Sequence, residues 1–295
     1  MRQKVSGSQR EASPASSLNE AGARRYCGLS LSGGKADKAC LAVLDWYPSH
    51  KKVFLSALHE KIASQEDVSG DQKIYDFLQR YTGRLILLGV DTPWQLPLCL
   101  SCRLPCPGFE RCREPHIRWL WEHNKKRYKG KKPKKIFTPY TQRCVEMHLL
   151  TELEERFDLG HALGANTAPR LARAAFLVRR LGLPTVEVAP AVSLWRIGRS
   201  LGIAKSHLRF HSHSIDGEES RHIILKELAD HNVVFLYRED VRSMTANNHA
   251  FEAFITAITA FLYDRGVCEE PPSDFPAQES WIAFPKVHIS WQSIY

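Results

Sequence analysis

The sequence predicts an α/β fold in which a mixed sheet is covered by helices on both faces. The apolar segments follow one another in the order strand, strand, strand, helix, strand, helix, strand, helix. One of them, RLILLGVD, is an uninterrupted apolar run typical of a strand buried on both faces. The chain has 295 residues, of which 43% are hydrophobic, so it can bury a substantial core.

The first predicted elements are three strands, a helix and a fourth strand. YCGLSLSGGKADKACLAVLDWY contains two apolar runs separated by a Gly-Gly turn signal, which indicates a hairpin. KKVFLSALHEKI supplies a third short strand, and DQKIYDFLQRY has the apolar spacing of a helix. RLILLGVD is then the fourth strand.

The second half alternates helices and strands. IRWLWEHNKKRYKGKKPKKI begins as a helix and becomes an exposed basic loop, since Gly130 and Pro133 are poor in helix interiors. CVEMHLLTELEERF, APRLARAAFLVRRLGL and VSLWRIGRSLGI are predicted helices, and TVEVA is a short strand between the last two. HNVVFLY is predicted to be a late strand, and NNHAFEAFITAITAFLYDRG is the clearest helix.

Composition suggests one domain and a soluble location. Residues 1–25 are rich in Ser, Ala, Gly and charge and are predicted to be disordered, ahead of a single domain over 26–290 with a Cys-rich and basic insertion at about 97–137. No segment approaches the roughly 18 apolar residues of a membrane span, and no export signal is evident, so we expect a cytoplasmic protein without a membrane partner. The formal charge of +9 favours a polyanionic partner such as nucleic acid.

Three acids stand where a metal site can form. Asp91 ends an apolar strand, Glu187 ends the short strand in VEVAP, and Glu252 shares a helix face with His249. If they converge, their oxygens suit Mg²⁺ or Mn²⁺, and two such ions would clamp the attacking and leaving oxygens of a phosphodiester. The alternative is that these acids only cap loops.

Seven segments in order resemble a known family: YCGLSLSGG, LLGVDTPWQLP, FTPYTQR, LGANTAPRLARA, VEVAP, NNHAFEAFITAITA and ESWIAFP. Together they resemble the domain-of-unknown-function 429 family, over most of the chain from Tyr26 to Pro285. The resemblance implies a ribonuclease H-like fold and a nuclease. It also implies an acidic site made of Asp91, Glu187 and an acid on the last helix.

Two positions depart from the family pattern. The first strand carries Ser30 where the pattern has an acid, and the late helix opens with His249 where the pattern usually has Asp. A serine removes a charged metal ligand, so the chain is either a metal-dependent nuclease or a catalytically degenerate nucleic-acid-binding module. His249 is a candidate ligand for a softer ion such as Mn²⁺, a candidate general base, or a surface histidine.

Basic residues offer contacts to a DNA or RNA backbone. Arg143 and Arg173 fall on motif positions of the family and suit bidentate phosphate binding, although ion pairs with Glu152, Glu154 or another local acid are the alternative. A concentrated basic run with Tyr128 interleaved would attract nucleic acid, unless it is only a solvated face. The run comprises Lys125, Lys126, Arg127, Lys129, Lys131, Lys132, Lys134 and Lys135.

The segment CLSCRLPCPGFERC places four cysteines in one loop, at Cys99, Cys102, Cys106 and Cys112. Compact spacing and the proline after the third cysteine favour an iron-sulfur cluster, with Zn²⁺ the near rival. Either would serve as a structural staple. Disulfides are the remaining alternative, which a reducing compartment disfavours, and a redox-sensing role is a third functional possibility for the chain.

Overall fold

A computed structural model describes residues 22–33, 37–128 and 137–295. Most of the segment predicted to be disordered, and Lys129, Lys131, Lys132, Lys134 and Lys135 of the basic run, lie outside the described residues. Arg24 and Arg25, which the sequence assigned to the disordered segment, already belong to the first strand.

Five strands form one mixed sheet in the order β3-β2-β1-β4-β5. The first three are antiparallel neighbours, whereas β1, β4 and β5 run parallel. This confirms the predicted α/β fold and is consistent with a ribonuclease H-like sheet. Because β1, β4 and β5 are parallel, their carboxyl ends meet at one edge. The strands are β1 Arg24–Leu31, β2 Ala39–Tyr47, β3 Lys52–Ile62, β4 Leu85–Val90 and β5 Thr185–Glu187.

Helices connect the strands and cover the sheet. Proline in the first turn starts α3, α5 and α6, where its missing N–H costs no helical bond. The helices are α1 Gly70–Gln79, α2 Leu98–Ser101, α3 Pro115–Arg127, α4 Cys144–Thr151, α5 Ala168–Leu181, α6 Pro190–Ser200, α7 Lys205–Phe210, α8 Gly217–Asp230, α9 Arg238–Ala246, α10 Asn248–Asp264 and α11 Trp291–Ile294.

Both faces of the sheet are buried. One core lies between β1, β2 and the helices α10, α6 and α8, and a second lies between the sheet and the helices α1 and α5. A third cluster joins α3 and α4 to the segment 275–284. Within the described residues, no helix is both long and apolar enough to cross a membrane.

Helix α10 lies directly on the backbone of the central strands. A Cβ added at Gly28 of β1 would stand 2.1 Å from the carbonyl oxygen of Ala253 and 2.3 Å from the amide nitrogen of Ala257. A Cβ at Gly89 of β4 would meet Thr256 at 2.9 Å. Glycine is therefore required at these two positions for the close approach of strand and helix. This packing places the start of α10 beside the carboxyl ends of β1 and β4.

The predicted late strand HNVVFLY is wrong. Phe235 forms one isolated parallel bridge with Phe54 of β3, and its amide and carbonyl make two backbone bonds to that strand. The chain then begins α9, while Val233 and Val234 are buried in the core beside α8 and α10. A short apolar run reads alike as a buried strand or as a buried connection, and here tertiary packing selects the connection.

Candidate active site

The carboxyl edge of the parallel strands opens onto a cavity of about 170 Å³. Asp91, directly after β4, and Glu252, in the second turn of α10, both line it. Glu187, Arg143 and Arg170 also contribute to its wall. The three acids predicted from the sequence are therefore brought to one place.

Asp91 is held in a fixed orientation by backbone groups of the neighbouring strand. Its amide nitrogen donates to the carbonyl of Leu29 at 3.0 Å, extending the pairing of β1 and β4 by one residue. Its Oδ1 accepts from the amide of Leu31 at 3.1 Å and from the hydroxyl of Thr92 at 2.7 Å. These bonds leave Oδ2 for other partners.

Glu252 is a carboxyl group placed against another negative charge. Burial is the main cause that raises its pKa to about 7, and the neighbouring charge of Asp91 raises it further. A hydrogen bond from Asn248 and the charges of Arg170 and Arg221 oppose these effects without cancelling them. At neutral pH the surroundings of Asp91 and Glu252 therefore stabilise a second negative charge only in part.

Glu187 is in the cavity wall but is already paired. Its Oε2 and Oε1 accept from the two terminal nitrogens of Arg143 at 2.8 and 2.6 Å, and Nε of Arg143 donates to Glu146 at 3.0 Å. Burial lowers the pKa of Arg143, but the charges of Glu187 and Glu146 outweigh burial and raise it. The side chain of Arg143 is fully buried. Arg143 thus forms ion pairs with local acids, which was the alternative to phosphate binding. These bonds leave no free edge of its guanidinium for a phosphate.

Ser30 and His249, which stand where the sequence resemblance leads us to expect two acids, lie next to each other. The hydroxyl of Ser30 lies 3.3 Å from Nδ1 of His249, and the same nitrogen lies 3.6 Å from Oε2 of Glu252. Both contacts use one nitrogen, so the three side chains do not form a relay through the imidazole ring. Ser30 is completely buried, whereas the side chain of His249 is 49% exposed.

The match to a family model decides which family the chain is in. The model of DUF429, described as a protein of unknown function, matches residues 38–277, which is most of the chain. The chain belongs to the DUF429 family. The match begins after β1, so Ser30 lies outside the matched residues. No curated protein and no solved structure gives a significant match.

Six of the seven segments that carry the sequence resemblance form two groups in space. PYTQR, VEVAP and ESWIAFP meet at Arg143, which contacts Glu187 and lies 3.3 Å from the hydroxyl of Ser280. The strand-end acid Asp91, the late helix with Glu252, and LGANTAPRLARA with Arg170 meet at the cavity. The first group forms a buried part of the cavity wall, and the second contributes the half-buried side chains of Asp91, Arg170 and Glu252.

Two cavity residues were not singled out by sequence reasoning. Arg170 lies three residues before Arg173 in the same segment, so helical spacing was the signal that could have found it. His161 lines the same cavity, and its Nδ1 lies 2.9 Å from the hydroxyl of Thr141. Burial lowers the pKa of His161. No local sequence pattern marks a histidine in such a loop.

Among the described residues, the other predicted basic contacts do not line this cavity. Arg173 donates to Asp71 at 2.8 Å and to the backbone carbonyls of Asp37 and Lys38, so it fastens the β1–β2 connection to α1. Lys125, Lys126 and Arg127 form the last turn of α3, where positive charge suits the helix dipole. Lys126 is also paired with Glu152 at 3.0 Å.

The four loop cysteines surround a second cavity of about 320 Å³. Cys102 and Cys106 are exposed, and Cys99 and Cys112 are half-exposed. None of the four forms a disulfide bond. In the described parts of the chain, no three His, Cys, Asp or Glu side chains are grouped so as to hold a single metal ion.

Proposed function

We propose that this DUF429 protein is a divalent-metal-dependent nuclease that hydrolyses phosphodiesters of DNA or RNA. The observation that carries the proposal is the pair Asp91 and Glu252 at the carboxyl edge of the sheet. Two carboxylates held together in a partly buried cavity repel each other, and a divalent cation relieves that repulsion. Open sheets of this type commonly carry their sites at this edge.

The residues fit Mg²⁺ or Mn²⁺ in part. Asp91 and Glu252 are hard oxygen donors that would hold the ion, with water completing its coordination. Both oxygens of Glu187 already accept from Arg143, so Glu187 is a weaker candidate ligand than Asp91 and Glu252, and Ser30 supplies no charge. When bound, such an ion activates water and stabilises charge on the phosphate oxygens.

A positively charged side chain at the same cavity supports an anionic substrate. Arg170 lines the cavity and its charge acts on Glu252. Because a guanidinium binds phosphate oxygens through two parallel bonds, Arg170 is better placed than the buried Arg143 to hold the backbone of a nucleic acid. The basic run, which begins in the last turn of α3, would add long-range attraction.

Cytoplasmic location is the expectation from the sequence.

The second candidate is a nucleic-acid-binding module without catalysis. The observation that favours it is the smaller negative charge available to a metal ion: Ser30 stands where an acid is expected, and the charge of Glu187 is balanced by Arg143. Such a module would keep the fold and the basic surface. It would bind with strong salt dependence and without turnover.

Cleavage assays separate the two candidates. Labelled single- and double-stranded DNA and RNA are incubated with anaerobically purified protein and Mg²⁺ or Mn²⁺, beside an Asp91→Asn variant. Asp230→Asn is the matched control, because it removes an exposed carboxylate on α8. Cleavage that is lost only in Asp91→Asn supports the nuclease. Binding without cleavage on every substrate contradicts it and supports the module.

A further inference from the structure

The eight cysteines divide into two groups with different environments. Cys27, Cys40, Cys144 and Cys268 are buried, and burial raises the pKa of each thiol. They are small apolar residues of the core. The four cysteines of the loop between β4 and α3 are exposed or half-exposed. Core packing therefore does not account for them.

The four loop cysteines lie within 14 consecutive residues and line one cavity. This segment is irregular apart from the single turn of α2. The rest of the cavity wall includes the apolar Leu104, Phe109 and Ile117 and the charged Arg111, Arg113 and Glu114. Apolar side chains beside a thiolate metal site limit the access of water to it.

The size of the cavity bears on whether one metal ion or a cluster fits it. Four thiolates on one Zn²⁺ have Zn–S bonds of about 2.3 Å, so a single ion draws its four sulfurs almost into contact. The thiols instead stand around a volume of about 320 Å³, which suits a polyatomic centre whose irons each take one thiolate.

We propose that Cys99, Cys102, Cys106 and Cys112 bind an iron-sulfur cluster assembled from iron and sulfide. Each cysteine binds one iron as a thiolate and releases its proton to solvent. His116 and Ile117, in the first turn of α3, line the same cavity. The cluster therefore fastens the loop to the start of the helix that leads into the basic run. This inference does not depend on the nuclease proposal.

The test measures iron, acid-labile sulfide and zinc in the full chain purified without oxygen, before and after reconstitution with iron and sulfide. Cys102→Ser and Cys106→Ser change exposed thiols, so the fold should survive, which circular dichroism checks. Cys268→Ala is the matched control, because it removes a thiol from the core and not from the loop. We expect about four iron and four sulfide per chain in the wild type and the control, and at most a tenth of that in the two loop variants.

Two results would overturn the proposal. Stoichiometric zinc without iron or sulfide would replace the cluster with a four-thiolate zinc site. If the folded, reconstituted protein contains neither iron nor zinc, the loop does not bind these metals. The metal analysis uses no nucleic acid. Its outcome is therefore independent of whether the nuclease proposal fails.

Discussion

The carboxylate of Glu187 and the guanidinium of Arg143 form a two-bond ion pair inside the protein, with distances of 2.8 and 2.6 Å. Arg143 also pairs with Glu146, so one buried cation is shared by two buried anions. A buried pair contributes little net stability, but removing one partner leaves an uncompensated charge. The relationship makes Arg143 a structural residue of the cavity wall.

Removing the guanidinium should therefore destabilise the fold strongly. We expect Arg143→Met to lower the free energy of unfolding by about 3–5 kcal/mol, because Glu187 and Glu146 then remain buried without a cation. Urea denaturation measures the loss. Arg209→Met is the control, since it breaks an exposed ion pair with Glu155 and should cost less than about 1 kcal/mol. Equal losses in the two variants would contradict the argument.

Activity should separate Glu252 from Glu187. If the nuclease proposal holds, Glu252→Gln removes one of two metal-binding carboxylates and should lower the cleavage rate by about 100-fold or more at fixed Mn²⁺. Glu187→Gln should change stability and leave the apparent metal affinity of the folded protein within about threefold of the wild-type value. A titration of rate against Mn²⁺ concentration gives both numbers. A larger loss of metal affinity in Glu187→Gln would show that it leaves Arg143 to bind the ion.

Stability without divalent ions should fall as pH rises toward neutrality. The folded pKa of Glu252 is about 7 against an ordinary value of 4.5, so the folded state holds this proton more tightly than the unfolded state. The contribution of Glu252 to the free energy of unfolding is fully present below pH 4.5 and is lost as the pH rises through 7. This contribution amounts to about 3 kcal/mol at most. The pKa of Glu279 is also raised to about 7, so ionisation of Glu279 lowers the stability over the same pH range.

The Glu252→Gln variant isolates this effect. An uncharged amide cannot ionise, so the variant should lose less stability between pH 5 and pH 8 than the wild type does. Urea denaturation at the two pH values gives the comparison. Adding Mn²⁺ at pH 8 should stabilise the wild type and not the variant. The same pH slope in both proteins would exclude Glu252 as its source.

Packing of α10 can be tested at one glycine. Gly28→Ala would place a Cβ 2.1 Å from the carbonyl of Ala253, so helix and strand must separate. We expect a loss of about 3 kcal/mol, the upper end of the roughly 1–3 kcal/mol that overpacking of a tight core typically costs. Gly83→Ala is the control, because no atom lies within 4 Å of its added Cβ. A wild-type unfolding midpoint in Gly28→Ala would mean that α10 does not lie on β1 as described.

The basic run should govern salt dependence of nucleic-acid binding. Neutralising Lys131, Lys132, Lys134 and Lys135 removes cations that displace counterions from the backbone, so affinity and the salt slope should both fall. Fluorescence anisotropy across a range of salt concentrations measures the two quantities. Unchanged affinity and slope would place the interface elsewhere.

Sequence reasoning recovers what local pattern controls. The strands β1 to β4 follow from apolar runs, and Asp91 is found because its position after a buried strand is itself a local feature. The pair of Arg143 with Glu187 joins residues 44 positions apart, and nothing local marks it. The raised pKa of Glu252 likewise depends on a charge from another element. Tertiary packing also turned HNVVFLY from a strand into a connection.

The contact between β1 and α10 joins distant parts of the sequence: the hydroxyl of Tyr26 donates to Asp264, 238 positions later. A ribosome makes the strand first and the helix on the order of ten seconds or more afterwards, at about 5–20 residues per second. During that interval the surface of β1 and β4 that packs against α10 has no cover, and the cavity lacks Glu252. Chains released before α10 would be prone to aggregate.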